Sequence, residues 1–195
     1  MKHKMTPRAL AMTAMLGALA SVLMFVQFPI PFLIPSFIEM DVSELPSLIA
    51  SFALGPWYGV AVCLIKNLVH ATVTTTGGVG EISNFLLGAA FVLPAGYFYC
   101  YKKNRIGALL GSIVGALVSA ALSFPINLYL TYPIYTQFMP LEAILGMYRE
   151  LIPSVDSLEM CLLVFNVPFN VLKGGLVTAL TFLVYKPLSR FIKGK

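Results

Sequence analysis

The sequence predicts an all-α membrane protein with six transmembrane helices, on the strength of its composition and its apolar stretches. Hydrophobic residues make up 58% of the 195 residues and charged residues only 11%, and the mean hydropathy is +0.86. Several apolar stretches approach the length of about 20 residues that a helix needs to cross a hydrocarbon core about 30 Å thick. We therefore expect one membrane domain that spans residues 1–195 and lies in the lipid bilayer.

The basic residues lie beside the apolar stretches and are not spread over a soluble face. The formal net charge is +5, but ten of the 13 Lys and Arg residues fall in three groups, near the N-terminus, at residues 102–105 and near the C-terminus. The eight acidic residues fall on or near the other side of a six-span arrangement. By the positive-inside rule, both termini are expected in the cytoplasm. The charge therefore indicates membrane orientation and not nucleic-acid binding.

The first span is predicted at about residues 9–28. Its first half carries Ala11, Ala14 and Ala18 at helical spacing, with Gly17 beside them. A ridge of small side chains lets another membrane helix approach closely. The ridge therefore either packs inside the protein or docks a partner protein.

The segment of residues 29–46 contains four prolines and three carboxylates, Glu39, Asp41 and Glu44. Proline cannot donate a backbone hydrogen bond, so much of this segment cannot form a regular helix. Irregular backbone exposed to lipid would leave polar groups unpaired, so we expect an apolar cap that packs over protein. The following apolar stretch, residues 47–54, is too short to cross the bilayer unless residues 41–47 extend it.

Span three, at about residues 57–73, carries Lys66, Asn67 and His70 inside an apolar stretch. A lysine at membrane depth costs roughly 2.5–3.5 kcal/mol on insertion scales, so by default it marks a site for something polar. Three roles remain open for Lys66: pairing with a carboxylate or with backbone carbonyls, contact with a ligand, and contact with a partner.

The loop of residues 74–81, TTTGGVGE, combines hydroxyl groups with glycines. Glycine permits positive φ and a close approach of the backbone to a ligand. The loop is not a phosphate-binding loop, since GxxxxGK[ST] occurs nowhere in the chain, so no ATPase motif is recognisable. A plain hairpin connection is the alternative interpretation.

Spans four and five are predicted at about residues 82–101 and 106–130. Asn127 lies near the far end of span five, next to Pro125. The connection that follows, residues 131–157, is long, and residues 141–151 within it are predicted to form a short interfacial helix.

Span six is predicted from about residue 158 to beyond residue 185. Asn166, Asn170 and Lys173 follow one another at i, i+4 and i+7. Residues at this spacing share one face of a helix, so this helix presents a polar face at membrane depth. Pro168 is expected to bend it.

Three cysteines, Cys63, Cys100 and Cys161, lie singly in apolar surroundings, with no CxxC and no His/Cys pairing. We interpret them as packing residues and predict no metal site and no disulfide framework.

The topology brings amides and one ammonium to the outer side of the membrane, where they suit a neutral, hydroxyl-rich solute. A strongly anionic solute would need more cations. Aromatic side chains nearby can sandwich a flat ring. They are Phe32, Phe37, Phe124, Tyr129, Tyr132, Phe165 and Phe169. The combination predicts an amphipathic aromatic solute that is bound from outside.

Five motifs lie along the chain: GPWYG, LIKNLVHATVTTTGGVGEISNF, PINLY, PIY and FNVPFNVLKGG. In these motifs, and over nearly its full length, the chain resembles the riboflavin-binding S components of energy-coupling-factor (ECF) vitamin importers. The resemblance implies the S-component fold and a non-enzymatic subunit that captures riboflavin at its outer face, in the cell membrane of a prokaryote. It also implies a transmembrane coupling protein and two cytoplasmic ATPases as partners, and no catalytic cofactor.

The resemblance also implies roles for individual residues. Asn127 in PINLY, and Asn170 with Lys173 in NVLK, match polar contacts to the flavin, chiefly to its ribityl chain. The loop before span two and the TTTGGVGE loop match a lid over the binding site. The predicted substrate-binding residues are Met40, Asp41, Thr75, Gly78, Glu81, Asn127, Asn166, Asn170 and Lys173.

The ridge on the first span gains a role from the same resemblance. Ala14 and Ala18 match the AxxxA pattern of the first helix in such subunits, which is the surface that meets the coupling protein. The resemblance therefore favours partner docking for the ridge of Ala11, Ala14 and Ala18.

Three other functions are alternatives to this one. An S component for another vitamin is one alternative. A stand-alone secondary transporter with Lys66, His70 and Glu81 as a proton relay is another, although small size and the lack of an obvious inverted repeat count against it. An intramembrane enzyme with His70 and Glu81 as acid and base lacks a nucleophile or a metal-ligand set. We therefore predict that the chain is not an enzyme.

Overall fold

The structure is a computed structural model that describes residues 6–74 and 77–192, with side chains up to residue 184. In this part of the chain it contains seven main helices, a short 3-10 helix (Ala71–Val73) and a two-stranded ribbon. The helices are α1 (Pro7–Phe25), α2 (Glu44–Ala53), α3 (Pro56–His70), α4 (Val79–Tyr101), α5 (Arg105–Tyr135), α6 (Leu141–Arg149) and α7 (Leu158–Cys161, Leu162–Asn166 and Val167–Ile192 in succession). The strands are β1 (Phe28–Pro29) and β2 (Glu39–Met40).

Four helices in the described part of the chain are long and apolar enough to cross a membrane: α1, α4, α5 and α7. The prediction of a helical protein is therefore confirmed, and these four helices are candidate membrane spans by length and composition. The other candidates are shorter, since α2 has 10 residues and α3 has 15, against the about 20 that a crossing needs. Six spans therefore stay a prediction.

The helices form a continuous bundle around α2. In sequence order, α1 packs against α3, α3 against α4, α4 against α5, and α5 against α7, while α2 contacts α1, α3, α4 and α7. Eight of the ten residues of α2 are buried as a result. The carboxylate of Glu44, in the first turn of α2, therefore lies inside the protein.

The contact between α4 and α5 depends on glycine. A Cβ atom at Gly115 would lie 2.2 Å from the carbonyl oxygen of Phe91, and one at Gly111 would lie 2.7 Å from the carbonyl oxygen of Ala95. In lipid, helices associate through close van der Waals packing, because apolar burial gives no driving force there. The small side chains on α5 therefore allow the two backbones to meet.

Two helices contain a π-helical turn, α5 at Asn127–Thr131 and α7 at Leu162–Asn166. Each turn ends two residues before a proline, Pro133 or Pro168. Proline cannot donate to the carbonyl four residues earlier and its ring clashes with it, and a wider turn relieves that conflict. The helix α5 continues through its π turn to Tyr135, so the predicted end at residue 130 was too early.

The cap, residues 26–43, covers one end of the bundle. Its two strands pair antiparallel, with Phe28 opposite Met40 and Pro29 opposite Glu39. The sequence predicted an irregular cap and a first span that reaches residue 28, but α1 ends at Phe25 because residues 28–29 join this ribbon. The cap shares a buried core with α6, which contributes Ile144, Leu145 and Tyr148. The helix predicted at 141–151 is present at Leu141–Arg149, and one of its faces packs on the protein.

Candidate ligand-binding site

A cavity of about 210 Å³ lies under the cap. Its walls come from the cap and from every main helix except α6. The polar lining includes Asp41, Glu44, His70, Glu81, Ser83, Asn84, Asn127, Asn166, Asn170 and Lys173, and the aromatic lining includes Phe37, Phe91, Tyr132, Tyr135 and Phe169. The cavity thus combines hydrogen-bonding groups with aromatic rings, as small-molecule sites generally do.

A buried cluster of two lysines and two carboxylates lies along one wall. The ammonium of Lys173 is 2.8 Å from Asp41 Oδ2 and 3.5 Å from Glu44 Oε2. The other oxygen of Glu44 is 2.7 Å from Lys66 Nζ. The hydroxyl of Ser43 accepts from Lys66 and donates to Asp41. Two positive and two negative charges are paired in this way, as buried charges must be.

Asp41 attaches the cap to α7 through its bond to Lys173, which joins residues 132 positions apart. Burial by itself would raise the pKa of Asp41, but the ammonium groups of Lys173 and Lys66 outweigh burial and hold the pKa below its ordinary value. Asp41 is therefore an anion, and the link between cap and helix is an ion pair.

Three asparagine amides line the cavity at or near the π turns, and each has a partner in the protein. Asn127 Oδ1 accepts from Ser83 Oγ at 3.4 Å, and Asn166 Oδ1 accepts from Tyr148 Oη at 2.8 Å. Asn170 Nδ2 donates to the backbone oxygen of Asn166 at 2.8 Å. An asparagine amide has two donor hydrogens and an acceptor oxygen with two lone pairs. One such bond orients each amide and leaves its other donor hydrogens and lone pairs able to bond a ligand.

The side chain of Tyr148 connects the surface helix α6 to the cavity wall. Its hydroxyl contacts that of Tyr132 and donates to Asn166, and the residue is fully buried. Burial, with the neighbouring Tyr132 as a smaller cause, raises the pKa of Tyr148, so the hydroxyl stays protonated. Sequence reasoning missed Tyr148; its position one turn after Ile144, on the apolar face of α6, was the available signal.

A second polar group holds the loop between α3 and α4. His70 Nδ1 lies 2.8 Å from Glu81 Oε1, and the hydroxyl of Thr74 donates to Glu81 Oε2 at 3.0 Å. The same hydroxyl accepts from the backbone N–H of Gly78 at 3.1 Å. The φ of Gly78 is +88°, in the left-handed region that favours glycine. Lys66 bonds elsewhere, to Ser43, Glu44 and Asn84.

Six of the nine predicted substrate-binding residues line the cavity: Asp41, Glu81, Asn127, Asn166, Asn170 and Lys173. Met40 lies in the buried core of the cap, and Gly78 forms the turn before α4. Thr75 lies outside the described residues. Lys66 is fully buried and bonded to Glu44, so among its three possible roles the structure favours pairing with a carboxylate.

The aromatic predictions divide in a similar way. Phe37, Tyr132 and Phe169 line the cavity, whereas Phe32 is 84% exposed and Tyr129 is 76% exposed. Sequence reasoning did not name several other lining residues as site residues, among them Glu44, Ser83, Asn84 and Phe91. Ser83 and Asn84 directly follow the predicted Glu81 in α4, which was a usable signal. Nothing in the sequence pairs Glu44 with the distant Lys66.

Across residues 6–74 and 77–192, no three His, Cys, Asp or Glu side chains come together in a way that could hold a metal ion. Cys63 and Cys161 are buried and Cys100 is half-buried, and all three are free thiols.

The ridge of Ala11, Ala14 and Ala18 lies on the outer face of α1, where all three residues are exposed. The neighbouring Gly17 is buried instead, and a Cβ atom there would lie 2.8 Å from Ile65 of α3. Internal packing of α1 therefore uses Gly17 and leaves the alanine ridge uncovered.

Comparisons with known proteins agree with one another. The family model described as ECF transporter, substrate-specific component, matches residues 8–185. The riboflavin transporter RibU of Staphylococcus aureus (strain TCH60) is 33% identical over 180 residues, 92% of this chain and 89% of that protein. The riboflavin transporter FmnP of Bacillus subtilis (strain 168) is 29% identical over 192 residues, 97% and 96% of the two chains. A solved S component of a bacterial ECF transporter matches with a TM-score of 0.75 and 32% identity, over 95% of this chain and 98% of that chain.

Proposed function

We propose, since this chain belongs to the family of ECF transporter substrate-specific components, that it is the membrane subunit that binds riboflavin for import. The resemblance found in the sequence motifs is confirmed by the family and by the matching S-component structure. The observation that carries the riboflavin assignment is a cavity lined by amides and aromatic rings, in a chain similar to two riboflavin transporters. Since these relatives are transporters, the alternative of an intramembrane enzyme is dropped.

The chemistry of the cavity suits a flavin. Riboflavin has a flat three-ring system and a ribityl chain of hydroxyl groups. Aromatic side chains such as Phe91 and Phe169 offer faces and edges to the rings. Asn127, Asn166, Asn170 and Lys173 are assigned to hydrogen bonds with the ribityl chain and with the ring carbonyls, and Glu81 and Asp41 to the ends of the site.

The proposed topology has six spans with both termini in the cytoplasm of a prokaryotic cell. In it, α2 and α3 count as the second and third spans, although each is shorter than α1, α4, α5 and α7. Basic residues at both termini and at residues 102–105 support this orientation through the positive-inside rule. The cavity then opens to the outside, where riboflavin is captured.

The cap and the loop after α3 are proposed as the lid of the site. The ion pair between Asp41 and Lys173 fixes the cap, and the bonds of Glu81 to His70 and Thr74 fix the loop. Both attachments use residues that also line the cavity, so a ligand in the cavity contacts the residues that hold the lid.

The alanine ridge on α1 is proposed as the surface that meets the transmembrane coupling protein of the ECF module, which works with two cytoplasmic ATPases. Three exposed alanines on one helix face permit the close helix contact that membrane association requires. The motif GxxxxGK[ST] occurs nowhere in the chain, and we assign the energy for import to those ATPases.

The riboflavin assignment is tested by the absorption spectrum of the protein purified in detergent without added ligand. A flavin band that survives washing, at about one equivalent, is the expected result for a tight site. Titration of riboflavin fluorescence covers the case in which the ligand is lost on purification. No band and no quenching would contradict the assignment and point to an S component for another vitamin.

The docking surface is tested by Ala14→Trp and Ala18→Trp. Both variants are expected to abolish riboflavin uptake by cells and to keep riboflavin binding in detergent, because the added bulk blocks helix contact away from the cavity. Leu19→Trp is the matched control, since Leu19 is 49% exposed but lies about 100° around the helix from Ala18. Normal uptake by both alanine variants would refute docking at this ridge.

A further inference from the structure

Lys66 is the buried charge that the proposed function leaves without a role. It is 0% exposed and lies outside the lining of the cavity. Its ammonium bonds to Ser43 Oγ, to Glu44 Oε1 at 2.7 Å and to Asn84 Oδ1 at 2.9 Å. An ammonium has three N–H donors, so these three acceptors occupy all of them and leave none for a ligand.

Two of the three partners of Lys66, Glu44 and Asn84, line the cavity, and the third, Ser43, donates to Asp41, which also lines it. Glu44 gives one oxygen to Lys66 at 2.7 Å, and its other oxygen lies 3.5 Å from Lys173. Lys173 is closer to Asp41 of the cap, at 2.8 Å. Lys66, which is buried outside the cavity lining, therefore neutralises Glu44, and Lys173 can pair with Asp41 of the cap.

Removal of Lys66 would change which carboxylate Lys173 pairs with. The carboxylate of Glu44, which is 5% exposed, would lose its closest cation, and a buried carboxylate without a partner is strongly unfavourable. Among the described residues, the other ammonium within reach of Glu44 is Lys173. Lys173 would then be shared between two carboxylates, and its bond to Asp41 would weaken.

We infer that Lys66 is a positioning residue for riboflavin binding: by neutralising Glu44, it keeps Lys173 on the cavity wall and bonded to the cap. This inference rests on the proposed function for the identity of the ligand. It assigns the intramembrane lysine of span three to the charge balance of the site, although the lysine touches no part of the cavity.

The test compares the wild type with Lys66→Met and with the double variant Lys66→Met/Glu44→Gln. Lys66→Met is expected to weaken riboflavin binding at least about tenfold, because it leaves one buried negative charge in excess. The double variant removes both charges and is expected to bind riboflavin more tightly than Lys66→Met, since coupled charges respond non-additively. A fluorescence titration of each purified protein gives these values.

Two outcomes overturn the inference. One is wild-type affinity in Lys66→Met, and the other is a double variant that folds but binds no better than Lys66→Met. If Lys66→Met yields no folded protein, recovery of folded, flavin-binding protein in the double variant supports the inference and its absence refutes it.

The midpoint of thermal unfolding without ligand, measured on the same series, tests the charge balance separately. A wild type that binds no riboflavin would refute the proposed function, while a midpoint lowered in Lys66→Met and recovered in the double variant would still support the balance.

Discussion

The two halves of the bundle are held together by different interactions. Gly111 and Gly115 bring α5 against the backbone of α4, where a Cβ atom at Gly115 would overlap the carbonyl oxygen of Phe91. Around the cavity, ion pairs and amide hydrogen bonds join the cap, α2, α3, α4 and α7. Close packing excludes a cavity, whereas polar bonds can join elements across one. The first half is therefore expected to be the rigid part, and the second the part that responds to ligand.

The largest expected effect comes from Gly115→Ala, in the closely packed half. The new Cβ atom would lie 2.2 Å from the Phe91 carbonyl oxygen, and backbone cannot rotate away as a side chain can. Overpacking of this kind costs about 1–3 kcal/mol, and we expect the upper end of that range. The midpoint of thermal unfolding in detergent measures it. Gly175→Ala is the matched control, since a Cβ atom there meets nothing within 4 Å. Equal midpoints for the two variants would contradict the account of close packing.

A direct effect on ligand binding is expected for Lys173→Ala in the cavity half. The substitution leaves Asp41 without its closest cation and removes a donor from the site, and we expect riboflavin affinity to fall by about 1–3 kcal/mol. Fluorescence titration provides the measurement. Leu172→Ala, at a 51% exposed neighbour on α7, should bind as the wild type does. Unchanged affinity in Lys173→Ala would remove this lysine from the site.

The smallest effect is expected for Tyr148→Phe, which removes only a hydroxyl. Asn166 would lose the donor that orients its amide, and we expect riboflavin affinity to fall by about 1 kcal/mol. Tyr129→Phe serves as the control because Tyr129 is 76% exposed. Titration in an Asn166→Ala background sharpens the result, since Tyr148→Phe should there have no further effect. An equal loss in both backgrounds would mean that Tyr148 does not act through Asn166.

Parts of the site could be predicted from the sequence because they depend on spacing along one helix. Asn166, Asn170 and Lys173 share a face of α7 and line the cavity together, as the i, i+4, i+7 pattern indicates. The first part of this face lies in a π turn, which the pattern did not indicate. Pro168 pointed to a bend, but a proline alone does not distinguish a kink from a wider turn.

Contacts between distant segments could not be predicted. Lys66 pairs with a carboxylate 22 positions away, and Lys173 with one 132 positions away. Each lysine had several carboxylates on the same side of the membrane as possible partners, and only packing decides among them. The ribbon of the cap was also missed, because two-residue strands give no alternating pattern.

The paired cluster of Lys66, Lys173, Asp41 and Glu44 carries two positive and two negative charges. A transmembrane voltage does work of about 2.3 kcal/mol per 100 mV on each net charge that crosses the field. Because the cluster sums to zero, its displacement along the membrane normal as one unit, together with an uncharged flavin, involves no such work. Movement of this cluster with the subunit in an energised membrane therefore neither gains nor loses electrical energy.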